Sequence, residues 1–177
     1  MNEALTERDA DRFLRMARAE QQGKLTVYLG AAPGVGKTYR MLQEAARRKA
    51  EGEDVVIGVA ETHGRGETQA LVAPFEILPR RSVEHQGHRL EEFDLDAALE
   101  RHPDLVLVDE LAHTNAPGSR HPKRWQDVAE LLAEGIDVAS TVNIQHIESL
   151  NDLVAGFTHI RVRETIPDSF LEDAELI

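Results

Sequence analysis

Residues 30–38 read Gly-Ala-Ala-Pro-Gly-Val-Gly-Lys-Thr and follow directly on the apolar run Leu25-Thr26-Val27-Tyr28-Leu29. A strand that feeds a glycine-rich turn, followed by a helix-forming stretch from Thr38 to Arg48, is the layout of a phosphate-binding loop. Glycines let the backbone curl so that several N–H groups point inward, and the helix adds its positive N-terminal end. Lys37 can then reach the outer phosphates of a nucleoside triphosphate, and the Thr38 hydroxyl can ligate Mg²⁺. The general pattern begins with glycine where this chain has Ala31, with Gly30 one step earlier. The alanine restricts the local backbone slightly. The expected ligand contacts of the loop are Gly30, Ala31, Pro33, Gly34, Val35, Gly36, Lys37, Thr38 and Tyr39.

An acidic motif supports that reading. Leu105-Val106-Leu107-Val108 is an apolar strand ending in Asp109 and Glu110. In doubly wound sheets ligands sit at the carboxyl ends of the strands, which places Asp109 near Thr38 as a second Mg²⁺ anchor through water. Glu110 is the candidate catalytic carboxylate, set to polarise an attacking water or hydroxyl. The polar loop that follows holds His113, Arg120, His121, Lys123 and Arg124. Arg120, Lys123 and Arg124 can reach a triphosphate from this subunit or from a neighbour. Alternatively, they form a solvated basic patch on an acidic chain. His113 and His121 lack the spacing of a tetrahedral metal site, so hydrogen bonding within the loop is their expected use. After the second strand, residues 61–67 lie at the same sheet end, where a second substrate or regulatory contact belongs, and Arg65, with His113 of the later loop, is counted with the ligand contacts. Thr141, Asn143 and Gln145 leave a later strand. Asn143 either senses the γ-phosphate or caps the next helix.

Strand-like runs alternate with helical ones. Helices are expected over 6–22, 38–50, 67–73, 94–101, 123–134 and 143–157. Strands are expected over 24–29, 55–60, 105–108, 136–142 and 160–163, with an edge hairpin or strand within 76–93. This order implies a three-layer α/β domain with a mostly parallel sheet and helices on both faces, the P-loop NTPase-like class. The division expected is an N-terminal helix over 1–22, a nucleotide-binding domain over 23–167 and an acidic tail over 168–177 leading to further segments. Trp125 and Phe157 are expected in the core. Aromatics are only 5% of the 177 residues, so that core is mainly aliphatic. The net charge of −12 disfavours nucleic acid as a partner. No apolar run reaches the roughly 18 residues of a spanning helix, and there is no signal-peptide core. The absence of cysteine fits a reducing, cytoplasmic setting. No Asn-Lys-x-Asp guanine-reading motif follows a late strand, which favours ATP over GTP.

Four segments carry a resemblance: residues 30–38, Glu61-Thr62-His63-Gly64-Arg65, the long run from Asp109 through Asp127, and Asn143 through Asp152. Together they are similar to the N-terminal cytoplasmic domain of the KdpD sensor histidine kinases, over nearly everything from Lys24 to Asp168. The Asp-Glu-Leu-Ala-His stretch is the most specific part. The loop of that family also begins Gly-Ala. The resemblance implies a membrane-bound parent that responds to potassium limitation and osmotic stress and phosphorylates a response regulator. Within it, this domain is implied to bind ATP and Mg²⁺ and to tune kinase against phosphatase output. Its partners are then ATP, other domains of the parent and, indirectly, the response regulator; a homodimer is an open alternative. No phosphoacceptor-histidine helix stands in these residues, so autokinase activity is not expected of them. The competing expectation is an active P-loop ATPase or phosphotransferase built on Glu110.

Overall fold

Four runs of alternating or continuously apolar residues form the middle of a parallel sheet. The computed structural model describes residues 21–62, 66–158 and 162–177. The order is β1 (Leu25–Gly30), α1 (Lys37–Ala50), β2 (Val55–Val59), α2 (Gly66–Val72), β3 (Glu76–Ile77), β4 (Arg81–His85), β5 (His88–Glu92), α3 (Leu95–Arg101), β6 (Leu105–Val108), α4 (Arg124–Ala133), β7 (Asp137–Asn143), a 3₁₀ turn (Ile144–His146), α5 (Glu148–Thr158), α6 (Asp168–Leu171) and β8 (Glu175–Leu176). The main sheet runs β3-β2-β6-β7-β1-β8, and every pairing in it is parallel.

Each central strand is buried on both faces, and the period of two assigns alternate residues to two cores. Val27, Val56, Val106 and Val138 point into one core with Leu95 and Ala98 of α3, Val128 and Leu131 of α4, and Leu171 of α6. Their neighbours Tyr28, Ile57, Leu107 and Ala139 point into the other, with Met41, Leu42 and Ala45 of α1 and Phe75. Helices therefore cover both faces. This is the expected three-layer α/β architecture, and it is consistent with a P-loop NTPase-like fold.

Local chemistry ends the helices where the sequence suggests. Asp94 caps α3 by accepting from the Ala97 amide at 3.0 Å. His102 adopts a left-handed conformation at its C-terminus (φ 46°), just before Pro103. The Lys123 amide donates to Gln126 Oε1 at 3.1 Å at the start of α4.

Several expectations are corrected. Of the hairpin or strand expected within 76–93, an edge strand forms as β3, while the hairpin stands apart from the main sheet. β4 and β5 form a separate antiparallel pair, and only the two-residue β3 joins β2. The helix expected from Asn143 is split, because Ile147 leaves helical geometry to bridge Ile166 in parallel. The strand expected over 160–163 falls partly outside the described residues, and Val162 and Arg163 are not strand. The segment 168–177 is not a free tail. It supplies α6 and β8, and Thr26 and Val27 of β1 pair with Glu175 and Leu176. Its acidic residues face outward, while Leu171 is buried. Trp125 packs against Phe170 with ring centroids 5.2 Å apart, but Phe157 is 83% exposed on α5 and does not belong to the core. The helix expected over 6–22 lies almost entirely outside the described residues. Among the described residues no helix is long and apolar enough to cross a membrane.

Candidate functional site

Because the strands are parallel, the carboxyl ends of β1, β2, β6 and β7 meet along one edge. The register places Gly30 opposite Asn143 and Val108 opposite Ser140, so Asp109 emerges beside Thr141. A cleft of about 380 Å³ opens there, within the roughly 300–1,000 Å³ common for small-molecule sites. Its wall is made by Pro33, Gly34, Gly36, Lys37, Thr38 and Tyr39 on one side and by Glu61, Asp109, Glu110, His113, Thr141 and Asn143 on the other. Thr62, Thr68, Ala112, Val142, His146 and Glu164 complete it. A larger hollow borders α1, β1 and β8, but charged groups in its lining are already paired, as in Arg48 with Asp137 at 3.0 Å.

The loop geometry depends on glycine at specific points. Gly36 precedes α1 with φ 94°, and Gly34 has φ 84°, a region that costs residues with a Cβ. At Gly30 a Cβ would crowd the loop's own side chains, lying 2.6 Å from Val35 Cγ2 and 2.8 Å from Lys37 Cδ. Ala31 sits in the exposed part of the turn, where its methyl is accommodated. Val35 is 58% exposed at the loop tip.

Two contacts bridge the loop to the other wall. Lys37 Nζ donates to Asn143 Oδ1 at 2.6 Å and to the Ala32 carbonyl at 3.1 Å. Thr38 Oγ1 donates to Asp109 Oδ2 at 2.9 Å. Burial holds the Lys37 ammonium below the usual lysine range, and the charges of Asp109 and Glu110 oppose that shift. Asp109 is 1% exposed. Its carboxylate also accepts from the Glu61 amide at 3.0 Å, the Glu110 amide at 3.1 Å and the Thr141 hydroxyl. A buried carboxylate needs such a set of donors to remain in place. Glu110 is exposed, lines the cleft and has φ 58°.

Asn143 is not seen as a helix cap. Its side chain makes no cap bond and pairs with Lys37 instead. Gln145 lies in the 3₁₀ turn, outside the cleft lining.

The structure does not gather the basic residues of the 113–124 loop at the cleft. Arg120 pairs with Asp96 and Glu130. Lys123 Nζ donates to Thr114 Oγ1 at 2.7 Å. Arg124 is 3% exposed beneath the strand end, with Nη1 donating to the Asp109 carbonyl at 2.9 Å. Neither Arg120, Lys123 nor Arg124 lines the cleft. Acidic partners hold Arg120, the Thr114 hydroxyl holds Lys123, and burial beneath the strand end holds Arg124. His113 does line it, with Nε2 3.0 Å from Glu92. His121 lies 2.6 Å from Glu130, and no cluster of three or more metal-ligating side chains exists among the described residues. Arg65 is outside the described residues.

Sequence reasoning overlooked Glu92, Thr68 and Glu164. Glu92 is 6% exposed and accepts from the Ala116 amide at 2.9 Å as well as from His113. Its partners are more than twenty positions away in sequence, and no local spacing signals them.

The loop after β6 is pinned by Asn115, which donates to Asp127 Oδ2 at 2.7 Å and to the His121 carbonyl at 2.9 Å. Burial pushes the Asp127 carboxyl up to about 6, against the Asn115 hydrogen bond and the charges of His121 and Arg124, with Glu130 reinforcing the rise. Between about pH 4 and about pH 6 the native state keeps a proton that the unfolded chain has released. Stability therefore falls as pH rises through that window. The expected loss is about 1–3 kcal/mol once residual solvent screening is allowed for. Asp127→Asn is expected to flatten this part of the profile of Tm against pH; a profile unchanged in the variant contradicts the assignment.

Residues 21–177 match the family described as the KdpD osmosensitive K⁺ channel His kinase sensor domain. Among similar proteins, the sensor protein KdpD of Escherichia coli K12 is 56% identical over 175 residues, which is 99% of this chain and 20% of that protein. The sensor protein KdpD of Mycobacterium tuberculosis H37Rv is 57% identical over 157 residues, 89% of this chain and 18% of that protein. That of Clostridium acetobutylicum is 51% identical over 158 residues, with 89% and 18% covered. The chain thus spans about a fifth of the length of these curated relatives.

Proposed function

Since this chain belongs to the KdpD family of osmosensitive K⁺ channel histidine kinase sensor domains, we propose that it is a regulatory domain that binds ATP with Mg²⁺ at the cleft beside Lys37. Within a longer sensor kinase its occupancy tunes kinase against phosphatase output under potassium limitation or osmotic stress, on the cytoplasmic side of the membrane. The other domains of the parent are its direct partners, and the response regulator is an indirect one.

The observation that carries this reading is the Thr38 Oγ1–Asp109 Oδ2 contact at 2.9 Å, next to Lys37 Nζ. A hydroxyl paired with a buried carboxylate is the oxygen donor set a hard divalent cation prefers, with water completing the shell. The adjacent loop, with left-handed glycines and the start of α1 behind it, suits phosphate oxygens. The fit is good for both groups. Mg²⁺ would supply charge neutralisation of the phosphates. The chain would contribute the Lys37 ammonium, the loop amides and the orientation of Thr38 and Asp109. Asn143, which holds Lys37 through Oδ1, would give up that contact or share it when the ammonium turns to a phosphate. Isothermal calorimetry with ATP–Mg²⁺ tests the reading: saturable binding supports it, and no heat at millimolar nucleotide refutes it.

The competing reading, an active ATPase or phosphotransferase, draws on Glu110, an exposed carboxylate held in a left-handed turn at the cleft. No arginine of the 113–124 loop stands at the cleft, and among the described residues that line it Lys37 is the one lysine or arginine to meet the transition-state charge. A phosphoryl-transfer arginine is worth roughly 10³–10⁵ in rate. Turnover by the isolated domain is therefore expected to be slow, and Glu110→Gln is expected to abolish what there is while leaving nucleotide affinity within about three-fold. Fast turnover, followed by phosphate release, favours the enzyme reading.

A further inference from the structure

We propose that Arg124, charge-balanced by Glu92 at the end of β5, is a positioning residue that clamps the Asp109–Glu110 peptide and aims Glu110 into the cleft. The inference deepens the nucleotide reading and rests on it for what Glu110 does there. The clamp itself stands on geometry.

Arg124 Nη1 donates to the Asp109 carbonyl at 2.9 Å and stands 3.5 Å from the Glu110 carbonyl. Nη2 lies 3.6 Å from Glu92 Oε2. Nε is buried without a partner. A cation placed so deeply, with one donor unused, is an expensive way to fill volume. An apolar side chain would serve packing alone at less cost. What the guanidinium adds is a rigid fork that turns Nη1 to the Asp109 carbonyl and Nη2 to Glu92, two directions that a single ammonium nitrogen does not serve at once.

The Asp109 and Glu110 carbonyls flank the turn that needs holding. Glu110 has φ 58°, a conformation a residue with a Cβ adopts only where its surroundings impose it. On the cleft side, its amide donates to Asp109 Oδ1 at 3.1 Å and Thr141 Oγ1 at 3.2 Å. On the opposite side, Arg124 holds the Asp109 carbonyl, and the His113 amide donates to the Glu110 carbonyl at 3.0 Å. Without Arg124 the Asp109 carbonyl loses this donor, so fewer bonds oppose relaxation to negative φ, and relaxation would swing the Glu110 side chain away.

Glu92 ties this clamp to a distinct surface element. The β4–β5 hairpin stands outside the main sheet, and Glu92 is the buried residue of its two strands. It accepts from His113 Nε2 and the Ala116 amide while neutralising Arg124. Displacement of the hairpin would therefore reach Glu110 through two contacts, Glu92 to Arg124 and Arg124 to the turn.

The test reads amide hydrogen exchange by NMR in Arg124→Met, Arg124→Lys and Glu92→Gln, with Val106 in β6 as an internal reference. Exchange of the Glu110 amide relative to Val106 is expected to rise about ten-fold in Arg124→Met and nearly as much in Arg124→Lys, with a smaller rise in Glu92→Gln. Unchanged exchange at Glu110 overturns the proposal. So does a uniform rise along β6, the mark of plain destabilisation. Should the methionine variant not fold, the lysine and glutamine variants decide by the same comparison. A second readout is the ratio of ATP affinity with Mg²⁺ to that with EDTA, expected to fall about ten-fold in Arg124→Lys. If the native chain binds no ATP under either condition, the nucleotide reading fails while the exchange measurement still decides the clamp.

Discussion

Asp109→Ala is expected to lower the unfolding free energy by about 3–5 kcal/mol, as buried networks do when their central acceptor is removed. Four donors converge on that carboxylate: the Thr38 and Thr141 hydroxyls and the Glu61 and Glu110 amides. Each orphaned buried donor costs about 1–3 kcal/mol, but the sum is smaller because the hydroxyls can turn elsewhere and a buried charge is relieved. For a domain of this size the fall in Tm is about 6–20 °C. Asp109→Asn keeps the volume and one oxygen, yet its NH₂ faces donors, so it should recover only part of the loss. The same two variants should abolish the Mg²⁺ dependence of ATP binding. Thermal unfolding within about 2 °C of the native protein in Asp109→Ala would show that this network does not hold the strand ends together.

Lys37→Ala is expected to act in the opposite sense, on binding and hardly on stability. In the free protein the ammonium makes two hydrogen bonds, to Asn143 Oδ1 and the Ala32 carbonyl, at the expense of partial desolvation. Those terms nearly cancel, so Tm without nucleotide should move by no more than about 3 °C. With nucleotide, the truncated charge pair costs about 2–5 kcal/mol, a loss in ATP–Mg²⁺ affinity of roughly 30- to 5,000-fold. A ligand at 100 times its Kd stabilises the native state by about 2.7 kcal/mol, or about 5–10 °C here. The native chain should show that shift, and the variant almost none. An equal shift in both would remove Lys37, and with it the loop, from the site.

The contrast between these substitutions follows from what can and cannot be read along the chain. The loop, the Asp109–Glu110 strand end and Asn143 were legible because each belongs to a local pattern: a glycine spacing after a strand, or a polar residue after an apolar run. Parallel pairing then brings all strand ends to one edge. The fates of Arg120, Lys123 and Arg124 were not legible. A basic residue in a loop near a strand end can face the ligand or a protein acid, and the choice rests on partners such as Asp96, Glu130 and Glu92 from other elements. Phe157 misled for a related reason: its aromatic ring fits a core position, but α5 turns it outward. The tail misled because its charges mask Leu171 and the backbone pairing of Glu175 and Leu176 with β1.

By itself the amino-acid order determined the alternation of strands and helices and the position of the glycine-rich turn. Both follow from side-chain periodicity and backbone freedom within a few residues. The tertiary structure alone decided which polar groups meet. Thr38 finds Asp109 across 71 positions and Lys37 finds Asn143 across 106, while Arg124 goes beneath the strand end rather than into the cleft. Such pairings depend on strand order and register, and on the high cost of leaving any buried charge or donor unpaired, which is settled only when every element is in place.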